Sequence, residues 1–81
     1  MEAEKKIPDL REQIRYTIRQ TRAMSGMSRA EFAEFFDISY EVAANWEKGR
    51  TVPQADKFLQ VLELRAKIVR ANRKANPARA A

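Results

Sequence analysis

The chain has 81 residues, with 16 Lys and Arg against 11 Asp and Glu, no Cys, no His and 44% hydrophobic residues. A domain of this size buries only about 60% of the surface its unfolded chain exposes, so one small, efficiently packed core is expected. Without Cys or His there is no disulfide framework, no N/S ligand set for zinc and no imidazole or thiolate for catalysis, so neither an enzyme nor a metal or cofactor site is expected.

Two Gly and three Pro leave little room for turns, and the breakers Pro8, Gly26, Gly49, Pro53 and Pro77 cut the chain into helical pieces. Residues 1–8 read as an N-terminal arm. The first helix opens on Asp9, with Glu12 three residues on in a capping-box pattern. Its apolar line is Leu10, Ile14, Ile18 and Thr21, and it runs to about Met24 before Gly26. Ser28 and Glu31 make a second capping box for a short helix whose Phe32, Ala33 and Phe36 point inward.

Asp37 then occupies a turn that needs a residue tolerant of positive φ, which Asp is. Ser39 caps a third helix, from Tyr40 to about Lys48, with Ala43 and Trp46 inside and Gly49 as its stop. Pro53 suits the first turn of a fourth helix. That helix carries the line Phe58, Leu62, Ala66 and Val69, with Leu59 beside it, and reaches about Ala75. Residues 76–81 read as a frayed tail. The architecture is all-α: a bundle of four or five helices, with one domain over residues 9–75.

Two short helices joined by a tight turn, the second capped by Ser, make the geometry of a helix-turn-helix. Ala33 supplies the small residue where the two helices cross, and Ile38, Ala43 and Trp46 line the inner side of the second.

The segments Met27-Ser28-Arg29-Ala30-Glu31-Phe32-Ala33-Glu34-Phe35-Phe36-Asp37-Ile38-Ser39 and Asn45-Trp46-Glu47-Lys48-Gly49-Arg50-Thr51-Val52-Pro53 resemble the phage-repressor/Cro-like (XRE-type) helix-turn-helix family. The nearer likeness is to its bacterial regulator and antitoxin branch, with the segment N-W-E-x-G-R-x-x-P. The family usually has Gln where this chain has Arg29, and Gly where it has Asp37; Ala43 is also smaller than usual. The resemblance implies a lambda-repressor-like bundle with an extended C-terminal helix, and a regulator that binds double-stranded DNA. It implies base contacts from Tyr40, Glu41, Ala44 and Asn45, with phosphate contacts from Ser28, Arg29, Ser39, Lys48, Arg50 and Thr51. It also implies a structural ion pair between Arg22 and Glu47.

Each role has a plainer reading. Trp46 reads as core, and Glu41 as either a base contact or a first-turn carboxylate that suits the helix dipole. Arg29, Lys48 and Arg50 are phosphate contacts or ordinary solvated charges.

The net charge is +5 and the sequence pI about 10.0, which favours an acidic partner such as nucleic acid. Residues 28–50 nevertheless hold three basic and five acidic groups, a net of −2. Affinity must therefore draw on the basic residues of the first helix and on the tail, where seven basic groups face two acidic ones over residues 51–81. The fourth helix shows a second apolar line, Val61, Leu64 and Ile68, as a surface for a homodimer or a protein partner. An antitoxin, by contrast, would have only the N-terminal arm or the tail to offer a toxin. No apolar stretch is long enough to span a membrane, and residues 1–6 lack the apolar run of a signal peptide, so a cytoplasmic protein is expected.

Overall fold

The computed structural model describes residues 9–75. The N-terminal arm and the tail expected over residues 1–8 and 76–81 lie outside the described residues. Four helices follow one another: α1 (Leu10–Ser25), α2 (Arg29–Phe35), α3 (Tyr40–Lys48) and α4 (Ala55–Ala75). No strand occurs among the described residues.

Local chemistry sets the helix ends. The Asp9 carboxylate accepts from the Arg11 amide at 2.9 Å. Glu12, expected to complete a box there, is engaged by Arg15 at 2.9 Å. Ser28 and Glu31 do form a reciprocal box, with Oγ accepting from the Glu31 amide at 3.1 Å and Oε1 accepting from the Ser28 amide at 2.8 Å. Ser39 Oγ accepts from the Val42 amide at 3.1 Å. After α2, the Ile38 amide donates to the Ala33 carbonyl at 2.9 Å and the Asp37 amide to that of Glu34 at 3.1 Å. This is a Schellman turn, and it holds Asp37 at φ 55°, where glycine is the usual occupant. The end of α3 repeats the motif: the Arg50 amide donates to the Asn45 carbonyl and the Gly49 amide to that of Trp46.

The core is Ile18, Phe32, Phe36, Trp46 and Val61, with Ile14, Met27, Ile38, Phe58 and Leu64 packed around it. Phe32 and Phe36 lie one turn apart with ring centroids 4.7 Å from each other. Burial of each ring stabilises the fold by about 1.5–3 kcal/mol relative to exposure. Lys57 Nζ donates to the carbonyl of Phe36 at 2.6 Å, and Arg65 donates to Gln20 at 3.2 Å, so α4 is tied to the end of α2 and to α1.

Three expectations are corrected. Leu10 is 71% exposed, because the first turn of α1 extends past the reach of the other helices. Pro53 is buried ahead of α4, which begins at Ala55 with the Gln54 carbonyl accepting from the Phe58 amide. The core side of α4 draws on both apolar lines, Phe58 from one and Val61 and Leu64 from the other. Val61 is fully buried and Leu64 packs on the core, whereas Leu59 and Leu62 are exposed. Val61 therefore does not belong to a free partner surface.

Candidate nucleic-acid interface

Helix α3 buries Ala43, Ala44, Trp46 and Glu47 and turns Glu41 and Lys48 outward, with Asn45 half-buried beside them. Residues 41, 45 and 48 recur at four- and three-residue spacing, which lines them along one side of the helix. Tyr40 stands at the N-terminal end of α3 and is 57% exposed. Ala44 is 7% exposed and is corrected from the base-facing set: it lies one turn before Glu47 and shares that residue's inward side.

Residues expected at phosphates surround this side. Lys48 closes α3 and Arg50 and Thr51 follow it, and all three are exposed. The Schellman turn aims the chain here, because the Arg50 amide is held on the Asn45 carbonyl at 3.0 Å. Ser28 and Ser39 both use Oγ as a cap acceptor, which leaves the hydroxyl hydrogen free to donate.

Behind α3 lies a charged cluster. Glu47, 4% exposed, receives Arg22 through two contacts of 3.0 Å, one to each carboxylate oxygen. Arg29 Nε donates to the same carboxylate at 3.2 Å. Its guanidinium carbon lies 5.7 Å from the centroid of the Tyr40 ring, within cation–π range. The hydrogen bond to Glu47 raises the pKa of Arg29 further above its ordinary value, against a smaller opposing effect of burial. Arg29 is thus held between the ion pair and the first exposed aromatic of α3.

This arrangement alters the charge pattern presented to a partner. One of the five acidic groups of residues 28–50, Glu47, is inside and neutralised by two guanidiniums, and Glu31 is bonded to its own helix cap. The outward-facing negative charge is reduced to Glu34, Asp37 and Glu41 together with the exposed part of Glu31.

Two relationships are not readable from sequence spacing. One is the hold of Arg29 on Tyr40. The other is the placement of Arg15 against Gly49, where an added Cβ would meet Arg15 Cδ at 3.1 Å. The i, i+4, i+7 spacing of Arg15, Arg19 and Arg22 signals a basic side of α1, but not that this side meets the end of α3.

The family model described as helix-turn-helix matches residues 18–64, more than half of the chain. The chain belongs to this helix-turn-helix family, whose members are DNA-binding regulators. No curated protein and no solved structure matches it. Among the described residues, no helix is long and apolar enough to cross a membrane.

Proposed function

We propose that the protein is a sequence-specific, repressor-like transcriptional regulator that lays α3 in the major groove of double-stranded DNA. The observation that carries this reading is the set of exposed Tyr40 and Glu41 with half-buried Asn45, bordered by Arg29, Lys48 and Arg50, on the outward side of α3. Asn45 has the donor and acceptor needed to pair bidentately with adenine, and Glu41 accepts from the cytosine amino group. Ser28, Arg29, Ser39, Lys48, Arg50 and Thr51 take the flanking phosphates.

The protein acts as a homodimer through α4. Supporting this is the strip of exposed Leu59, Leu62 and Ala66 with half-buried Val69, spaced by three, four and three residues, which runs from the side opposite buried Val61 round to its flank. Two-fold pairing of such strips gives half-sites about one helical turn apart. Selection of bound duplexes from a random pool at two salt concentrations tests both points. An enriched motif with two half-sites so spaced is expected; recovery of unrelated duplexes at both salts contradicts the reading.

A second reading, an antitoxin or protein-interaction module of the regulator and antitoxin branch, is favoured by one feature. Phe35, 59% exposed, borders a hollow of about 260 Å³ with Phe36, Leu64, Gln60, Glu63 and Lys67, remote from the exposed side of α3. Alanine at Arg29, Asn45 and Arg50 separates the readings, since it abolishes duplex binding in the first and leaves a protein partner bound in the second.

A further inference from the structure

Of the residues around the hollow between α1 and the end of α3, Arg15 and Arg19 have no part in the DNA contacts assigned above. The hollow measures about 340 Å³ and is lined by Arg15, Arg19, Arg22, Arg29, Glu47 and Lys48. Five cations share it with one carboxylate. That carboxylate is spent on Arg22 and Arg29. Glu12 takes one end of Arg15 from the rim, with its side chain 61% exposed, and Arg19 stands exposed on the next turn.

Arg15 is built into the wall. Its aliphatic stem lies over Gly49, close enough that an added Cβ there would sit 3.1 Å from Cδ, and its Nε is buried without a hydrogen-bond partner. A donor removed from water and left unpaired is unfavourable until an acceptor arrives. Several guanidinium forks converging on one concavity match the oxygens of a phosphate better than the single plane of a carboxylate.

We propose that this hollow is a phosphate-binding site for the backbone of duplex DNA, with Arg15 and Arg19 as binding residues contributed by α1. The proposal rests on the DNA-binding reading above. The backbone is the source favoured over a free anion because the hollow shares Arg29 and Lys48 with the border of the exposed side of α3. A strand passing that border meets α1 next. Arg15 and Arg22 stand about 10 Å apart along the helix at 1.5 Å per residue, a span that serves more than one phosphate.

The test titrates full-length protein into a fluorescent duplex taken from the selection, over a range of salt, for wild type and for Arg15→Gln with Arg19→Gln. The double variant is expected to bind about tenfold more weakly and to lower the slope of log affinity against log salt by roughly one to two, at about 0.9 per phosphate. Its sequence preference stays unchanged. Arg15→Lys with Arg19→Lys restores most of the slope. If the glutamine pair fails to fold, Arg19→Gln alone is expected to lower the slope by roughly one.

An unchanged slope in a folded variant, while wild type binds the duplex, overturns the proposal and leaves the DNA-binding reading intact. Failure of wild type to bind any duplex overturns both. In that case a rise in melting temperature with inorganic phosphate over chloride at equal ionic strength, lost in the variant, assigns the hollow to a free anion and not to a backbone.

Discussion

Arg22 of α1 and Glu47 of α3 are joined by two parallel contacts of 3.0 Å, and the carboxylate they share is almost wholly buried. The pair ties α1 to α3 across 25 residues of sequence. Arg22→Ala leaves Glu47 buried with Arg29 alone, and a loss of about 3 kcal/mol is expected by urea denaturation. Arg22→Met combined with Glu47→Leu removes both charges and is expected to recover most of that loss. A cost below about 1 kcal/mol for Arg22→Ala would place the pair with weak surface bridges.

The two Schellman turns predict opposite outcomes. Asp37 sits at φ 55° and Gly49 at φ 76°. Asp37→Gly relieves a left-handed strain of about 1–2 kcal/mol but gives the unfolded chain more freedom, so a change between zero and about 1 kcal/mol of added stability is expected. Gly49→Ala imposes the same strain and also displaces Arg15, so a loss of at least about 1 kcal/mol is expected. Thermal melts of the two variants check this; equal effects contradict it.

Stability also carries a proton dependence at α2. The Glu31 carboxyl is held below its ordinary value of 4.5 by the Ser28 amide, with the Ser28 side chain adding to it. A depressed pKa in the folded state means that the contribution is complete above the ordinary value. It is then lost as pH falls through the lower, folded value. Glu31→Gln keeps an acceptor but cannot titrate, so its melting temperature is expected to fall less steeply than that of wild type on the acid side. Parallel acid limbs for the two proteins contradict the assignment.

The sides of α4 differ in what they support. Val61→Ala opens a cavity in the core and is expected to cost about 2 kcal/mol, with no direct effect on association. Leu59→Lys with Leu62→Lys alters exposed positions, so it is expected to change the stability of the monomer by less than about 0.5 kcal/mol. Sedimentation should show the lysine pair shifting a wild-type dimer to monomer. A wild-type protein that sediments as a monomer at micromolar concentration contradicts the dimer.

The helix ends were legible because caps are local: Ser28, Glu31, Ser39 and Gly49 act on backbone groups within a few residues. The burial of Trp46 and Phe32 followed from helical spacing for the same reason. The rotation of α4 was not legible. Two apolar lines at helical spacing compete along it, and the choice is made by groups distant in sequence, such as Lys57 on the Phe36 carbonyl and Arg65 on Gln20. At the candidate interface, the exposure of Tyr40 followed from its place at the start of α3. The burial of Ala44 did not, because its position lies on the edge between the inner and outer sides. Arg29 read as a free cation; its bond to Glu47, 18 residues away, needed the tertiary fold.

The central claim is that α3 reads bases, and Asn45 is the place to test it. Competition binding of full-length wild type and Asn45→Ala, with a selected duplex and a scrambled one of equal length, measures discrimination directly. Loss of about 1–3 kcal/mol of discrimination at one base pair per half-site, with scrambled-duplex affinity and salt slope unchanged, is the predicted result. Full discrimination retained by the folded Asn45→Ala protein would contradict it.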